Sequence, residues 1–443
     1  MKHIVLSKGH NIQIAGVPSK EIIPLTSVET VSIIPTEFRG VKPKLLVKEG
    51  DKVELGTPLF FDKSKPDIRW ASPASGLVFS VQYGARRIVE KIEIKVEGSE
   101  AKPFKALTKD QLSSANRKTI LGLILEANLF PLIRQRPFNK IADPKIMPRD
   151  IFISIINTGP LSVDLESIVE NASGQFQAGV TGLSKLTDGS VYITSSSGVQ
   201  FEDAESQKIS GPHPAGNVGI QIHHSKPIKP GDIVWTLNAQ HVITLGKLFL
   251  DGTYDPSIIV SIGGSGATKS QTVKTVTGVS VKALISNQDL RRPARLISGD
   301  VLTGTTIDKE GFLGYYDSTL SILNDVVERP FMGMLSFGTT DTKYSLTNTF
   351  VGLRNKLFNF NTAQNGELRA IVPMNAWENV LPMDIFPNVL YRAILAQDIE
   401  EMEQLGIWEC DDEDFALCSF VCPSKIDVGA VIREGLDLME ADG

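Results

Sequence analysis

Apolar positions in the first 100 residues alternate with polar ones or gather in short β-branched runs. Residues 30–34, 44–47, 77–81 and 91–96 each read as a strand, and Gly, Pro and Asp turns separate them. Helical spacing begins at 110–128. There Leu112, Ile120, Leu123, Ile124 and Ala127 share one face, and Pro131 and Pro137 stop the helix. Residues 151–156, IFISII, form an unbroken apolar run, as in a strand buried on both faces. Helical patterns over 161–171 and 176–186 and a strand over 190–194 follow, which predicts a β-α-β unit in a parallel sheet. Apolar runs at 232–237 and 241–249 fit further elements. Residues 255–330 return to short strands, with a brief helix near 279–285. From Phe331 the pattern is mixed. Helices are predicted over 389–396, 398–405, 411–421 and 427–441, with Asp411 and Asp427 as N-caps.

This order predicts a multidomain α/β chain. A biotinyl/lipoyl-like barrel-sandwich is expected over 1–100 and a Rossmann-like α/β domain over 101–254. A β-grasp-like (SLBB-like) module follows over 255–330, then a mixed and finally helical region over 331–443. The 443 residues suit several domains. Hydrophobic residues at 42% and charged residues at 22% exclude wholesale disorder. With 45 basic and 51 acidic residues the net charge is −6. That balance argues against a generic nucleic-acid binder, which needs clustered cations. Neither a signal-peptide core at the start nor a run of about 18 apolar residues is visible, so a water-soluble cytoplasmic chain is expected.

Several motifs invite chemistry and fail a requirement. SIGGSGATKS, 261–270, has Lys269 and Ser270 at phosphate-loop spacing from Gly263. Thr268 replaces the last glycine, and a β-branched stretch follows where a helix is needed. A glycine-rich β-turn is the better account. The turn after 151–156 is Asn157-Thr158-Gly159-Pro160, with too few glycines for a dinucleotide pyrophosphate to approach the backbone. The histidines lack zinc-ligand spacing. GPHPAG, 211–216, presents His213 on a loop stiffened by two prolines, which makes it a candidate ligand-contacting or proton-handling residue; a structural turn with a surface histidine is the alternative.

The three cysteines all lie near the end of the chain. Cys418 and Cys422 stand in C-x₃-C-P, the last part of the iron–sulfur motif C-x₂-C-x₂-C-x₃-C-P. Stepping back by three gives Phe415 and Asp412, so two thiolate positions are lost. The acidic run 409–414 reads most simply as a helix start favoured by the dipole. In the N-terminal region VKEGDKVELGTPLF and SPASGLV are similar to the two halves of a lipoyl-type barrel. Lys63, in Asp62-Lys63, falls where carriers hold their modified lysine, and a plain surface lysine is the alternative.

The barrel, the RPF within IRQRPFNK, the GPHPAG loop, the strands of 255–330 and the tail ALCSFVCP occur in that order. As a set, over nearly the whole chain, they resemble the A-subunit family of the sodium-translocating NADH:quinone oxidoreductases. That family is related to the C subunit of the Rnf electron-transfer complex and to the flavin subunit of complex I. The resemblance implies a peripheral subunit of a six-subunit sodium-pumping reductase on the cytoplasmic face of the bacterial inner membrane. It implies integral-membrane and other subunits as partners, and quinone as the substrate of the complex. It also implies that this chain binds no redox cofactor or metal, while FMN, riboflavin, FAD and an iron–sulfur cluster reside on partner subunits. The isolated chain would then not be a competent enzyme. The alternative is an electron-input subunit of the Rnf or complex I type that binds FMN, NADH or a cluster. Within this frame Phe130 and Phe138 are candidates to pack on a quinone ring, and Arg134 and Arg136 to donate to its carbonyls. Structural ion pairs are the alternative role for both arginines. Asn157 stands where the family is expected to carry an acidic residue, which weakens charge-based chemistry at that turn.

Overall fold

The computed structural model of the chain describes every residue except 26, 291–292, 327–331, 333–334, 336, 339–340, 347–355, 373–374 and 443. Two small antiparallel sheets face each other in the N-terminal region. One orders Thr30–Ile33, Val89–Val96, Gly76–Tyr83 and Lys52–Val53; the other orders Pro43–Leu45, Pro58–Asp62 and Arg69–Ala71. The Phe60 ring stacks on Trp70 at 4.5 Å between centroids, and both are fully buried. Lys63 lies exposed in the turn after Pro58–Asp62, and Asp62 fastens that turn by accepting from the Lys42 and Ser64 backbones.

The second sheet has seven strands in the order Lys2–Val5, Glu205–Ser210, Val191–Ser195, Ile151–Ser154, Val234–Asn238, Arg134–Arg136 and Lys140–Ile141. The first five run parallel, and the last two close the edge antiparallel. The expected β-α-β alternation is therefore present. The run 241–249 is helical, within Ala239–Asp251, and packs on helix Ser173–Ser184. The helix expected over 110–128 is two helices, Lys109–Ser113 and Arg117–Glu126. Asn116 breaks it, because its side chain accepts from the Thr119 backbone N–H and starts a new helix.

A third, mixed sheet orders Thr305–Ile307, Ala294–Ser298, Thr319–Asn324, Ser257–Gly263, Gln271–Val276 and Ile22–Pro24. The glycine-rich 261–270 segment is the turn of the antiparallel hairpin Ser257–Gly263/Gln271–Val276. The opening residues differ from expectation. Lys2–Val5 pairs with Glu205–Ser210 and Ile22–Pro24 with Gln271–Val276, so neither belongs to the N-terminal sheets. Short strands carry little information about their partner; the partner is set by which exposed edge the chain meets.

Helices Pro387–Ala396, Ile399–Gln404, Ala416–Val421 and Val428–Asp442 form the C-terminal end, and their apolar faces pack with Ile4, Leu6, Ile209 and Ile220 of the α/β layer. Asp427 caps its helix through the Ala430 N–H. Asp411 does not cap: the residues after it form a 3₁₀ turn, Asp412–Phe415, and its carboxylate is engaged elsewhere. Phe331, the expected start of this region, lies outside the described residues.

Candidate functional site at the sheet edge and C-terminal helices

The antiparallel edge strand Arg134–Arg136 and the turn after it carry the RPF motif. Arg136 is 2% exposed and faces the acidic run. Its Nη2 lies 2.5 Å from Glu413 Oε1 and 3.0 Å from Asp411 Oδ2, and its Nη1 lies 3.7 Å from Asp414 Oδ2. Arg433, from the last helix, reaches Asp411 and Asp412, and Arg39 reaches Asp412 from the N-terminal region. Four carboxylates thus meet three guanidinium groups from three parts of the chain. Burial by itself would lower the Arg136 pKa. The surrounding carboxylates outweigh that effect and hold it above its ordinary value. Burial raises Asp414 to about 7, against the pull of Arg136. Burial raises Asp411 as well, again against the pull of Arg136.

Phe138 and Asn139 adopt positive φ, 75° and 48°. A ring-bearing residue there is strained. The turn is held by Arg433, which donates to the Phe138 carbonyl (3.0 Å), and by Asn139 Nδ2, which donates to Asp411 Oδ2 (2.6 Å). The half-buried Phe138 ring meets Trp408 edge-on at 5.7 Å, with the Lys140 ammonium 5.3 Å from its centroid.

The GPHPAG loop joins this junction. His213 is 4% exposed; its Nδ1 lies 3.1 Å from Thr158 Oγ1, while its Nε2 has no partner. Burial lowers its pKa, opposed by the charges of Asp300 and Glu413. Asn217, which follows the loop, donates to the Glu413 carbonyl and to Asp414 Oδ1. Asn157 accepts from the Gly159 N–H and closes its own turn.

The other candidates fall elsewhere. Phe130 is fully buried, edge-on to Trp235 at 5.8 Å. Arg134 is half-buried and lies 4.8 Å over the Tyr316 ring, on the side of the third sheet. Cys418 and Cys422 are buried, and burial raises the Cys418 thiol well above its usual value. Phe415 is fully buried, and Asp412 is committed to Arg39 and Arg433. Two buried thiols, of which burial holds Cys418 protonated, with a phenyl ring and an ion-paired carboxylate, do not fit an iron–sulfur cluster. Among the described residues no group of His, Cys, Asp and Glu is arranged to hold a metal ion.

Sequence reasoning missed Arg433, Asn139, Asn217, Trp408 and the role of 411–414. Four acids in a row were the available signal, but a helix dipole explains them equally well until the arginines are placed beside them.

Comparison with known proteins covers most of the chain. Residues 4–97 match the NqrA N-terminal barrel-sandwich hybrid domain, 115–254 the NqrA second alpha/beta domain and 259–309 the NQRA C-terminal domain. The chain is 36% identical over 447 residues to the A subunit of the Na(+)-translocating NADH-quinone reductase of Pasteurella multocida, covering 99% of this chain and 100% of that one. It is 35% identical over 448 residues to the corresponding protein of Neisseria meningitidis serogroup B, with the same coverage. A solved NAD+-reducing [NiFe]-hydrogenase aligns with TM-score 0.35 and 8% identity over 48% of this chain and 47% of that one, a likeness too slight to carry an argument.

Proposed function

The chain belongs to the A-subunit family of the Na+-translocating NADH-quinone reductases, and from that membership we propose that it is the peripheral, quinone-contacting subunit of a six-subunit sodium pump. The observation that carries this is 36% identity over 447 residues, spanning 99% of this chain and 100% of the relative. Among the described residues no helix is long and apolar enough to cross a membrane. On this reading the chain attaches through partner subunits, on the cytoplasmic face of the inner membrane. FMN, riboflavin, FAD and an iron–sulfur cluster sit on those partners. The unfit donor set at Asp412, Phe415, Cys418 and Cys422 supports a chain without a redox group of its own. On the same reading the parallel strands of 151–238 form a Rossmann-like unit and the sheet of 257–324 a β-grasp-like module. On this reading the chain divides at about 100, 254 and 330, with strands Lys2–Val5 and Ile22–Pro24 lent by the chain start to the second and third sheets.

The four candidates for quinone contact differ in exposure. Arg134 and Phe138 keep part of their surface free, so Arg134 donates to a quinone carbonyl and Phe138 offers a ring face. Phe130 is buried against Trp235, and Arg136 is buried and holds the acidic run beside the turn. His213 is a loop-positioning residue on this view. In the assembled complex, Arg134→Ala with Phe138→Ala raises the KM for quinone by about tenfold, a loss of roughly 1.4 kcal/mol. NADH oxidation by artificial acceptors stays intact. Unchanged quinone kinetics would remove the assignment. The electron-input alternative predicts a flavin band in the visible spectrum of the isolated chain, and the favoured reading predicts none.

A further inference from the structure

We propose, on the reading that the chain sits against the cytoplasmic face of the inner membrane, that the tip of the hairpin Gly76–Tyr83/Val89–Val96 docks on the anionic lipid headgroups of that membrane. The two strands pair antiparallel as far as Tyr83 and Val89. A tight turn joins them. In it the Ile88 N–H donates to the Ala85 carbonyl at 3.2 Å and the Gly84 N–H to the Ile88 carbonyl at 2.9 Å. Residues 85–88 are all exposed, so the tip is convex. Arg86 and Arg87 are its central residues, and both have positive φ, 56° and 61°. Asn and Gly occupy such positions most easily, and a residue with a long side chain is strained there. Nothing in the chain offsets that strain. Neither guanidinium has a hydrogen bond, an ion pair or an aromatic ring as partner among the described residues. Glu90, the nearest acid along the chain, lies against Gly84 and pairs with neither. Lys91 and Glu93, farther down the hairpin, pair with each other.

The two free cations stand between exposed apolar side chains. Tyr83 ends one strand at 57% exposure, and Ile88 precedes the other at 50%. Val81 and Val89 already fill the core side of the hairpin, so these two are surplus to it. Arginines for lipid phosphates, a tyrosine for the headgroup level and an aliphatic side chain for the acyl boundary make up an interfacial anchor. Charge decides the occupant. The chain carries a net charge of −6, so an anionic surface repels most of it and attracts this tip. Two arginines give a weak, salt-sensitive attraction, which suits orienting a subunit that its partners already hold.

The test uses the full chain with a polarity-sensitive fluorophore on Ala85→Cys, an exposed tip position; the three native cysteines are buried. The probe is vesicles of phosphatidylglycerol mixed with phosphatidylcholine, and phosphatidylcholine alone is the reference. Emission shifts to the blue with the anionic vesicles, saturably, and the shift fades in high salt. Arg86→Asn with Arg87→Gly removes both charges and suits the turn. Its partition coefficient therefore falls by roughly 30-fold while its Tm rises, which separates lost binding from lost folding. Tyr83→Ser with Ile88→Ser also weakens the partition and leaves its salt dependence in place. An equal shift on neutral vesicles, no shift on either kind, or unchanged partition of the Arg86→Asn, Arg87→Gly variant overturns the inference. Co-purification with the membrane subunits reads the placement of the chain separately. A wild-type chain that fails to co-purify overturns the placement and this contact with it. A chain that co-purifies and gives no lipid response overturns the contact alone.

Discussion

Arg136 shows how one residue can be committed by its surroundings. A guanidinium at 2% exposure is tolerable only with carboxylates within reach, and Asp411, Glu413 and Asp414 supply them. Removing it leaves buried acids uncompensated. Arg136→Ala is expected to cost about 3–5 kcal/mol of the unfolding free energy of this junction in denaturant titrations. Arg39→Ala, whose pair with Asp412 is over a third exposed on both sides, should cost under about 1 kcal/mol. Equal losses would show that the cluster does not distinguish them. Asp414 is one source of pH dependence, beside Asp411 and Glu37, which burial also raises. Its pKa is about 7 in the folded chain against 3.8 for an ordinary aspartate, so the folded state holds the extra proton between those values. That contribution to stability is complete below pH 3.8 and is lost as pH rises through 7. His241 acts with the opposite sign. Burial lowers it to about 3, so its contribution is present above 6.5 and lost as pH falls. Asp414→Asn should flatten the first slope in Tm measured across pH and leave the second. A profile identical to wild type would exclude Asp414 as a source of it.

At the scale of elements, glycine decides how closely two helices pack. Helices Ser173–Ser184 and Ala239–Asp251 touch backbone to backbone. A Cβ at Gly246 would lie 1.7 Å from the Gln175 carbonyl oxygen, and one at Gly179 would lie 2.2 Å from that of Val242. Backbone cannot yield as a flexible side chain can. Gly246→Ala should therefore cost about 1–3 kcal/mol, or more, in thermal unfolding. Gly174, in the same helix as Gly179, has nothing within 4 Å. Gly174→Ala should stabilise by about 0.5–1 kcal/mol through backbone entropy alone. Within helix Ser173–Ser184 the same substitution therefore clashes at Gly179 and is free of contacts at Gly174. Both glycines look alike in the sequence, because only the crossing of the two helices tells them apart. Asp411 and Asp427 make the same point for caps. Each precedes a helical pattern; Asp427 caps, while Asp411 is drawn to Arg433 and Asn139.

Across the whole molecule, the acidic run ties the N-terminal region through Arg39, the α/β sheet through Arg136, Asn139 and Asn217, and the last helix through Arg433. Charge-assisted contacts among separately folded layers set their relative placement more than they add stability. They put the RPF turn beside the C-terminal helices, where the proposed quinone contact at Phe138 meets Trp408.

Periodicity by itself determined that this is a multidomain α/β chain, with an N-terminal β region, a parallel sheet and C-terminal helices. Burial of an apolar face imposes a period of two or 3.6 on the residues of each element, wherever that element ends up. The order of motifs was enough to identify the family, because it depends on the chain and not on contacts. Sequence could not decide that strand Lys2–Val5 joins a sheet two hundred residues away, nor that Arg136 belongs to the acids of the last helices while Arg134, two residues earlier, stacks on Tyr316. Those are choices of partner. A charge or an edge strand carries no address in its own neighbourhood, so only the tertiary structure could make them.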